Sequence, residues 1–421
     1  MKKFSKNFWT VIGMEFTERG SYYGVMSILS AYLVLNKGEG GLEFTKQSVG
    51  IIKSTITPLL YILPIISGAL ADRYGYRKIL FFSFIVMSLG YFFVGLSTSY
   101  PFVFASLLIM AIGAGFFKPI ISGTIAHETD SKNSSIGFGI YYWSINLGAF
   151  LFPLILVPYL KEKSYPLIFF TASFLTGSLL FLNLFVFKEP EKPKSTKSFS
   201  KILEEIVLVL VDWRFVLMIG IYSLFWICYF QMFDTMLWYV KERMDMSAVN
   251  HAVNKIISNF ISNPNWHFDV EHITVVNAGA IIILQLLISV IVKNFKALPT
   301  IIGGVLIGSF GLLLIAITQN PWFLIMGLVV FSIGEMCAHP KFISYIGEIA
   351  PAEKKALYLG YSSLYGVIGS FFAGILGSSL YELIITKGNN PTLFWMVFVA
   401  IGVICAIGLY LFDKKIKEKK I

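Results

Sequence analysis

The chain has 421 residues, of which 56% are hydrophobic and only 14% are charged. Average soluble proteins carry about 25% charged residues, so this composition excludes the ordinary soluble classes and indicates a membrane protein. The net charge of +10 lies largely in short segments between apolar runs, which favours a role in membrane orientation and argues against a nucleic-acid partner. The three cysteines all fall within apolar runs, so we expect no disulfide, no metal site and no cofactor.

About twelve apolar runs have the length of a membrane-spanning helix. We predict these spans at residues 8–36, 46–71, 78–98, 101–126, 135–160, 165–187, 214–241, 273–293, 297–318, 321–348, 355–385 and 392–412.

The longest charged, proline-containing stretch separates the predicted spans into two groups of six. We therefore predict an N-terminal six-helix bundle over residues 1–188, a cytoplasmic linker over residues 189–203 and a C-terminal six-helix bundle over residues 204–421. Lysine and arginine are concentrated at the N-terminus, in alternate loops, in the linker and in the C-terminal tail. Because positively charged loops stay in the cytoplasm, we expect a multi-pass protein of the cell membrane with both termini cytoplasmic. We expect a monomer, with the lipid bilayer as its surroundings.

The predicted external segment near residues 246–270 has an amphipathic pattern. Apolar residues follow Ser247 at helical spacing, from Val249 to Phe260. This pattern predicts a short helix on the membrane surface or across the outer mouth. The alternative is an external loop that covers exposed helix ends.

Glu15, Glu18 and Arg19 lie within the first predicted span, between apolar residues on both sides. An ionised side chain at the centre of a membrane helix costs about 2.5–3.5 kcal/mol on insertion scales, so these three must face one another, other charges or water. Glu15 and Arg19 are four residues apart and share a helix face, and Glu18 is close enough for its carboxyl group to interact with that of Glu15. A carboxyl group that alternates between a cation and water can carry a proton. The alternative is a permanently paired trio that holds helices together.

Three other predicted spans contain polar candidates. Lys118 lies deep in the fourth span and requires a carboxylate partner, which the first span can supply. The fifth span contains Asn146 among phenols, and the tenth contains Glu335 and His339, four residues apart. Ionisable residues inside a membrane are functional by default, so Glu335 is a candidate site residue. For His339 the alternative is a core imidazole that is hydrogen-bonded to a neighbour.

Two six-helix halves joined by a cytoplasmic linker resemble the major facilitator architecture, in which substrates bind near the membrane midplane between halves that rock. The run from Gly68 to Lys78 contains Asp72, Arg73 and Gly75 and resembles the cytoplasmic loop motif of that superfamily. The resemblance implies that Asp72 and Arg73 hold the inner gate against neighbouring helix ends.

Four separated motifs resemble, in the same order, those of the proton-dependent oligopeptide transporter family. They are Glu-x-x-Glu-Arg-x-x-Tyr-Tyr-Gly in the first span, Lys-Pro in the fourth, Tyr-x-x-Ile-Asn-x-Gly in the fifth and Gly-Glu ahead of a proline in the tenth. The resemblance implies an all-α membrane protein of the major facilitator fold, with about twelve transmembrane helices in two six-helix bundles.

The resemblance also implies roles for the matching positions. Glu15, Glu18, Arg19 and Lys118 would form a switching ion-pair network for proton coupling, to which Glu335 would contribute. Arg19 and Lys118 would attract the carboxylate of a small peptide, and Glu335 would face its amino group. The remaining positions that would line the substrate pocket are Tyr22, Tyr23, Tyr61, Asn146 and Asn277.

The chain departs from the family pattern at three places. Gly20 follows the arginine of the first span, where the family usually has phenylalanine. In the seventh span Phe230 occupies the place of a family acid, Gln231 comes next, and Asp234 is the candidate substitute one turn further on. Lys341 after the tenth-span proline is also unusual. These departures affect the expectation of peptide specificity more than that of proton coupling.

The leading hypothesis for function is therefore a proton-coupled symporter that imports di- and tripeptides by alternating access. The runner-up is a transporter of the same mechanism that carries another small organic solute. A distant alternative is an intramembrane enzyme, but four of the five histidines lie outside the spans or at their ends, and no nucleotide-binding loop motif is present in the sequence. We therefore expect that the chain is not an enzyme.

Overall fold

The computed structural model describes residues 4–130, 133–190 and 199–418, and the regular structure found in these ranges is helical. The helices of the first half are α1 (Lys6–Val34), α2 (Lys46–Tyr74), α3 (Tyr76–Leu96), α4 (Tyr100–Glu128), α5 (Ser134–Leu151), α6 (Val157–Lys161) and α7 (Tyr165–Phe185). Those that follow are α8 (Phe199–Val211), α9 (Trp213–Phe230), α10 (Thr235–Arg243), α11 (Ser247–Ile257), α12 (Glu271–Val292), α13 (Ala297–Ala316), α14 (Pro321–Ile349), α15 (Lys355–Tyr361), α16 (Leu364–Leu380) and α17 (Pro391–Glu418).

Eleven helical segments of the described chain are long and apolar enough to cross a membrane. Three of them are composite. In the first, α5 continues into α6 through a π-helical turn at Phe152–Leu156; in the second, α9 continues into a 3-10 turn; the third joins the end of α15, α16 and a π-helical turn at Tyr381–Lys387. The predicted all-helical membrane fold is thus confirmed. The remaining predicted span, the first in the chain, is α1, whose 29 residues extend about 43 Å but carry the three charged residues of the first motif.

Helix α1 lies at the centre of the molecule, and this position accounts for its charges. Ser5 caps its N-terminus, where the hydroxyl oxygen accepts a hydrogen bond from the Phe8 amide at 2.9 Å. Its side chains contact α4, α5 and α7 of the first half and α10 and α12 of the second. Because α1 is surrounded by protein, its polar groups can face other helices and the space between the halves instead of lipid.

The two halves meet most closely along α2 and α16. A Cβ atom on Gly50 would lie 2.6 Å from the Gly374 carbonyl oxygen, so the two backbones touch at this point. The Ser54 hydroxyl donates to the Phe371 carbonyl at 2.6 Å across the same interface. Small residues at a helix crossing allow such close approach, which fixes the register of α2 against α16. We call the side of the molecule that contains Lys46 the outer face and the side that contains Asp72 the inner face.

The linker prediction falls partly outside the described residues, which omit 191–198. On its near side, Asn7 exchanges two hydrogen bonds of 2.9 Å with the backbone of Lys188, and Glu189 accepts from the Tyr76 amide at 2.7 Å. On its far side, helix α8 crosses the predicted boundary between residues 203 and 204. The stretch before α9 is therefore helical, which the sequence pattern did not indicate.

The external segment contains the short helix that its sequence predicts, α11. Ser247 is not the capping acceptor; instead, the Asp245 carboxylate accepts from both its amide and its hydroxyl. Val249 is buried and α11 packs against α14, whereas Phe260 is 84% exposed. The Asn254 side chain makes two 2.8 Å hydrogen bonds to the backbone of Trp266. These bonds hold the segment that follows α11 against that helix.

Candidate functional site

The charged residues of α1 form a buried ion cluster. The Arg19 guanidinium donates to both carboxylate oxygens of Glu18, at 2.5 and 2.8 Å, and its Nε lies 3.8 Å from a Glu15 oxygen. Both glutamates are completely buried, and the Arg19 side chain is 12% exposed. The Arg19 guanidinium also lies 4.9 Å from the centre of the Tyr22 ring. A bidentate, buried arginine pair of this kind is geometrically well defined.

Glu15 is the less satisfied carboxyl group of the cluster. Within the described chain, neither of its oxygens accepts a hydrogen bond of ordinary geometry, although the Tyr141 side chain lies close to it. A buried charge without hydrogen-bond donors is costly, whereas a neutral carboxyl group at the same place is not. Glu15 therefore has the surroundings of a group that can hold a proton.

Lys118 faces a large cavity that opens toward the inner face. This cavity has a volume of about 990 Å³ and is lined by α2 and α4, by α8 and by the segment from Glu353 to Ser363. Lys118 is exposed within it, and no ion pair of its ammonium group is found among the described residues. The expected contact between Lys118 and a carboxylate of α1 is thus not made in this conformation, because the ammonium group can remain in water.

A second, much smaller space of about 40 Å³ lies at the centre of the molecule and is lined mostly by aromatic residues. Tyr61 lines both this pocket and the large cavity, so the two spaces adjoin. Its ring packs edge-on against Phe230 at 5.8 Å between ring centres. The full lining comprises Tyr22, Tyr23, Met26, Lys53, Thr57, Tyr61, Tyr229, Phe230 and Phe233. The three predicted tyrosines therefore lie together.

Glu335 and Asn277 are in direct contact, but neither of them lines the aromatic pocket. The Asn277 amide donates to a Glu335 carboxylate oxygen at 3.2 Å and to the Ser332 hydroxyl at 2.9 Å. Asn146 is buried, and its amide donates to the Tyr142 carbonyl of its own helix at 2.9 Å. Glu335 of α14 therefore has a polar partner on α12.

The residues at and after the position of the family acid in the seventh span have different surroundings. Phe230 lines the aromatic pocket. Gln231 is fully buried, and its amide group bonds to the Ile227 and Ala373 carbonyls, so its side chain is used in packing α9 against α16. Asp234 pairs with Lys53 of α2 at 3.0 Å, and both side chains are less than one-tenth exposed.

The inner gate residues lie at the open side. Asp72 lines the large cavity, and the Arg73 guanidinium lies over the ring of its neighbour Tyr74 at 5.4 Å. The two residues are therefore at the mouth of the cavity, on the face where the molecule is open.

Gly20 contacts an aromatic ring from another helix. A Cβ atom at this position would overlap the Phe152 ring, and the Phe16 ring packs edge-on against the same ring at 5.7 Å. Phe152 begins the π-helical turn between α5 and α6. The space left by Gly20 is thus filled by Phe152.

The outer face is held closed by ion pairs that sequence reasoning missed. Lys46 pairs with Glu242 at 2.8 Å, and Lys161 pairs with Asp269 at 2.8 Å and with Glu271 at 2.6 Å. Together with the Lys53–Asp234 pair, each of these contacts joins a lysine of the first half to a carboxylate of the second. Lys53 within an apolar run was the signal that could have revealed this pattern.

Asp269 shows the electrostatic effect of this closure outside the membrane spans. Burial alone would raise the pKa of its carboxyl group, but the charges of Lys161 and Lys241, with hydrogen bonds from Lys161 and the Val270 amide, hold that pKa below its ordinary value of 3.8. Asp269 is therefore ionised when it pairs with Lys161.

The sequence model of the Major Facilitator Superfamily matches residues 9–264 and 265–421 of the chain. The chain is 35% identical over 184 residues to an uncharacterized transporter of Bacillus subtilis, and this match covers 43% of the chain and 37% of the relative. It is 28% identical over 229 residues to a di-/tripeptide transporter of Lactococcus lactis subsp. lactis, which covers 51% of the chain and 45% of the relative. The chain thus spans less than half the length of these curated relatives.

The fold resembles those of solved transporters over nearly its whole length. A POT family transporter in complex with 5-aminolevulinic acid superimposes with a TM-score of 0.78 at 22% identity, covering 97% of the chain and 96% of that structure. A POT peptide transporter mutant in complex with alafosfalin superimposes with a TM-score of 0.79 at 20% identity, covering 97% and 95%. The resemblance carried by the four motifs is confirmed, and these four similar proteins are transporters and not enzymes.

Proposed function

Because the chain belongs to the Major Facilitator Superfamily, we propose that it is a proton-coupled symporter that imports di- and tripeptides by alternating access. The observation that carries the proposal is the buried Glu15–Glu18–Arg19 cluster beside a cavity that contains Lys118. Charges at this depth are retained in membrane proteins where they mark a substrate or proton pathway. The naming of the Lactococcus relative supports peptide as the cargo.

The arrangement of charges fits a small zwitterion. Arg19 and Lys118 supply positive charge on the α1–α4 side, and Glu335 supplies a carboxyl group on α14. A peptide carboxylate would bind the cations, and its amino group would bind Glu335. Tyr22, Tyr61 and their aromatic neighbours would then contact the peptide backbone and side chains.

Proton coupling follows from competition for the same cations. When Glu15 or Glu18 is ionised, it occupies Arg19, as in the present conformation. Protonation from the outer side removes this competition and leaves Arg19 and Lys118 free for the substrate carboxylate. After the inner face opens, the proton leaves, the ion pair forms again, and the substrate is released.

A second candidate function is transport of another small organic solute by the same mechanism. The observation that favours it is Phe230, which places an aromatic ring in the central pocket where the family pattern has an acid. Without that acid, recognition of a peptide amino group depends on Glu335 alone.

Uptake of labelled dialanine into proteoliposomes separates these functions. We expect uptake that is competed by unlabelled di- and tripeptides but not by free alanine, because free alanine lacks the peptide group that the tyrosines of the central pocket would contact. Uptake that no peptide inhibits, together with the absence of a peptide-induced thermal shift, would reject peptide as the cargo.

We also propose that the protein functions as a monomer in the cell membrane, with both termini in the cytoplasm. The lysine-rich segments between spans support this orientation. In that orientation the 990 Å³ cavity opens to the cytoplasm and the lysine–carboxylate pairs close the external side. Protease protection of tags at either terminus in right-side-out vesicles tests it.

A further inference from the structure

A side cavity of about 310 Å³ lies between α5, α12 and α14 and reaches Glu335. It shares no lining residue with the aromatic pocket, and Glu335 is its link to the proposed peptide site. Its polar lining residues are Tyr142, Gln285, Ser289, Glu335 and His339. One water molecule takes up about 30 Å³, so the cavity has room for about ten waters.

A polar row on α12 follows this cavity toward the inner face. Asn277, Gln285 and Ser289 lie on one face of the helix, and the apolar Ile281 lies on the same face between the first two. Asn277 donates to Glu335 at one end of the row. At the other end, the Gln285 amide donates to the Ser289 hydroxyl at 2.9 Å, and Ser289 is exposed only three residues before α12 ends at Val292.

The rest of α12 shows that this row is not a general property of the helix. Ile283, Leu286 and Val290 are 76%, 80% and 61% exposed, as expected for a face that contacts lipid. Polar side chains in such a helix raise the free energy of insertion into lipid unless they face protein or water. The row is therefore best explained by a hydrated path along the cavity.

His339 lies one helical turn from Glu335, on the same side of α14. Its ring is held edge-on between Trp226 and Tyr365, at 5.3 and 5.6 Å between ring centres. Its Nδ1 is buried, and no hydrogen-bond partner for it occurs in the described part of the chain. The alternative of a core imidazole bonded to a neighbour through this nitrogen is therefore not what the structure contains. Exchange of a proton with the cavity falls to Nε2.

We propose that this cavity is the route by which the proton leaves Glu335 for the inner face, with His339 as the relay. The proposal rests on the proposed function and adds to it a transferable proton on Glu335, the carboxyl group that the cavity reaches. The Glu335 O–H bond breaks, and the proton passes to Nε2 of neutral His339 directly or through cavity water. The imidazolium then gives the same proton from Nε2 to water near Gln285, which restores the neutral ring and leaves Glu335 as a carboxylate.

The charges around His339 favour rapid release. From α4, Lys118 is close enough to act on the imidazole, and two positive charges at this place repel each other. Lys341, two residues further along α14, does not compete for the proton path, because its ammonium group donates to the Lys293 and Phe295 carbonyls at 3.2 and 2.7 Å. The phenols of Tyr142 and Tyr365 are the other titratable groups that face the ring.

Two transport assays on the full chain test this relay. In gradient-free counterflow of labelled dialanine, His339→Asn should retain the wild-type KM and a rate within about twofold of wild type, because peptide exchange needs no net proton release. In uptake driven by an inward proton gradient, the maximal rate should fall by about tenfold, since positioned proton transfer contributes at least this much. Gln285→Leu interrupts the polar row on α12. It should likewise slow driven uptake while leaving counterflow close to the wild-type rate. His251→Asn, on exposed α11, is the matched control and should change neither.

The outcomes distinguish the relay from the function on which it rests. If the wild type accumulates dialanine under a proton gradient and both His339→Asn and Gln285→Leu do so at the wild-type rate, only the relay is rejected. Equal losses in counterflow and driven uptake for both variants would also reject it, because they indicate a structural role. If the wild type itself shows no gradient-driven accumulation, the proposed proton coupling fails and the relay fails with it.

Discussion

Gly20 and Phe152 show how one departure from a family pattern is compensated within the same structure. The ring of Phe152 occupies the space beside α1 that a side chain at position 20 would fill. Phe16 packs against this ring, and Glu15 and Arg19 lie on the adjacent turns. The contact therefore helps to hold the α1 backbone at the level of the ion cluster.

We expect Gly20→Ala to destabilise the protein by about 1–3 kcal/mol, because overpacking forces the Phe152 ring or the helix to move. Gly24→Ala is the matched control, since a Cβ at that position would lie 3.5 Å from the nearest Val157 atom, an ordinary contact. Thermal unfolding in detergent compares the two variants. Equal melting temperatures for them would contradict this account of Gly20.

Lys118→Ala tests whether Lys118 and Arg19 have different roles in coupling. Arg19 retains its own carboxylate partners, whereas Lys118 stands in the cavity without an ion pair among the described residues. We therefore expect Lys118→Ala to abolish proton-driven accumulation while gradient-free exchange of dialanine continues at a reduced rate. Full concentrative uptake by this variant would show that Lys118 has no coupling role.

Among the helices, the ends of α6 and α12 are joined by a lysine with two carboxylate partners. Lys161 of α6 lies between Asp269 and Glu271, and the Glu271 side chain is only 1% exposed. The external segment that contains α11 supplies Asp269 just before α12 begins. This segment is therefore part of the closure and not only a cover over helix ends.

Lys161→Gln should shift the molecule toward an outward-open form. Removing one partner of a buried pair costs roughly 3–5 kcal/mol, which opening of the outer face would relieve by exposing Glu271 to water. Spin labels at Glu39→Cys and Lys387→Cys, both at exposed positions, report this opening as a longer distance. Lys163→Gln is the control, because Lys163 bonds only to the Tyr159 hydroxyl within the contacts observed, and it should leave the distance unchanged.

Asp269→Asn gives a prediction about pH. A carboxyl group whose pKa is lowered in the folded state stabilises that state above its unfolded pKa and loses this contribution as the pH falls through the folded value. Since the pKa of Asp269 is held below 3.8, its contribution is constant between about pH 5 and 8. The same distance measurement should therefore show equal effects of Asp269→Asn at both pH values. A smaller effect at the lower pH would contradict the assignment.

At the scale of the whole molecule, the structure is open at Asp72 and closed at Lys46, Lys53 and Lys161. The two halves touch through α2 and α16 on the closed side, while the large cavity separates them on the other. Alternating access requires that the inner face close and the outer face open while Arg19 and Glu335 stay between them.

Much of this arrangement could be predicted from the sequence. Apolar runs of membrane length indicated the spans, and charges within them indicated Glu15, Arg19 and Glu335, because a charge in an apolar run has few structural explanations. Apart from the Lys53–Asp234 pair, whose lysine lies within an apolar run, the outer ion pairs could not be predicted in the same way. Lys161 and Glu271 lie at predicted span ends, where charges are ordinary, and only packing of the two halves brings them together.

The resemblance implied that Asn277 and Glu335 belong to one site, but it implied neither their hydrogen bond nor the Gly20–Phe152 contact. The second contact depends on a π-helical turn at Phe152, which changes the direction of a side chain without a clear signal in the sequence. The pairing of Lys118 also could not be predicted, because whether it meets a carboxylate or water depends on which face of the molecule is open.

The steady-state ratio of internal to external labelled dialanine in proteoliposomes, under an inward proton gradient, tests the central claim most directly. Coupling through the buried cluster of α1 predicts a ratio above one that returns to one when a protonophore collapses the gradient. A ratio that reaches one at the same rate with and without the gradient, and never exceeds it, would contradict proton-coupled symport.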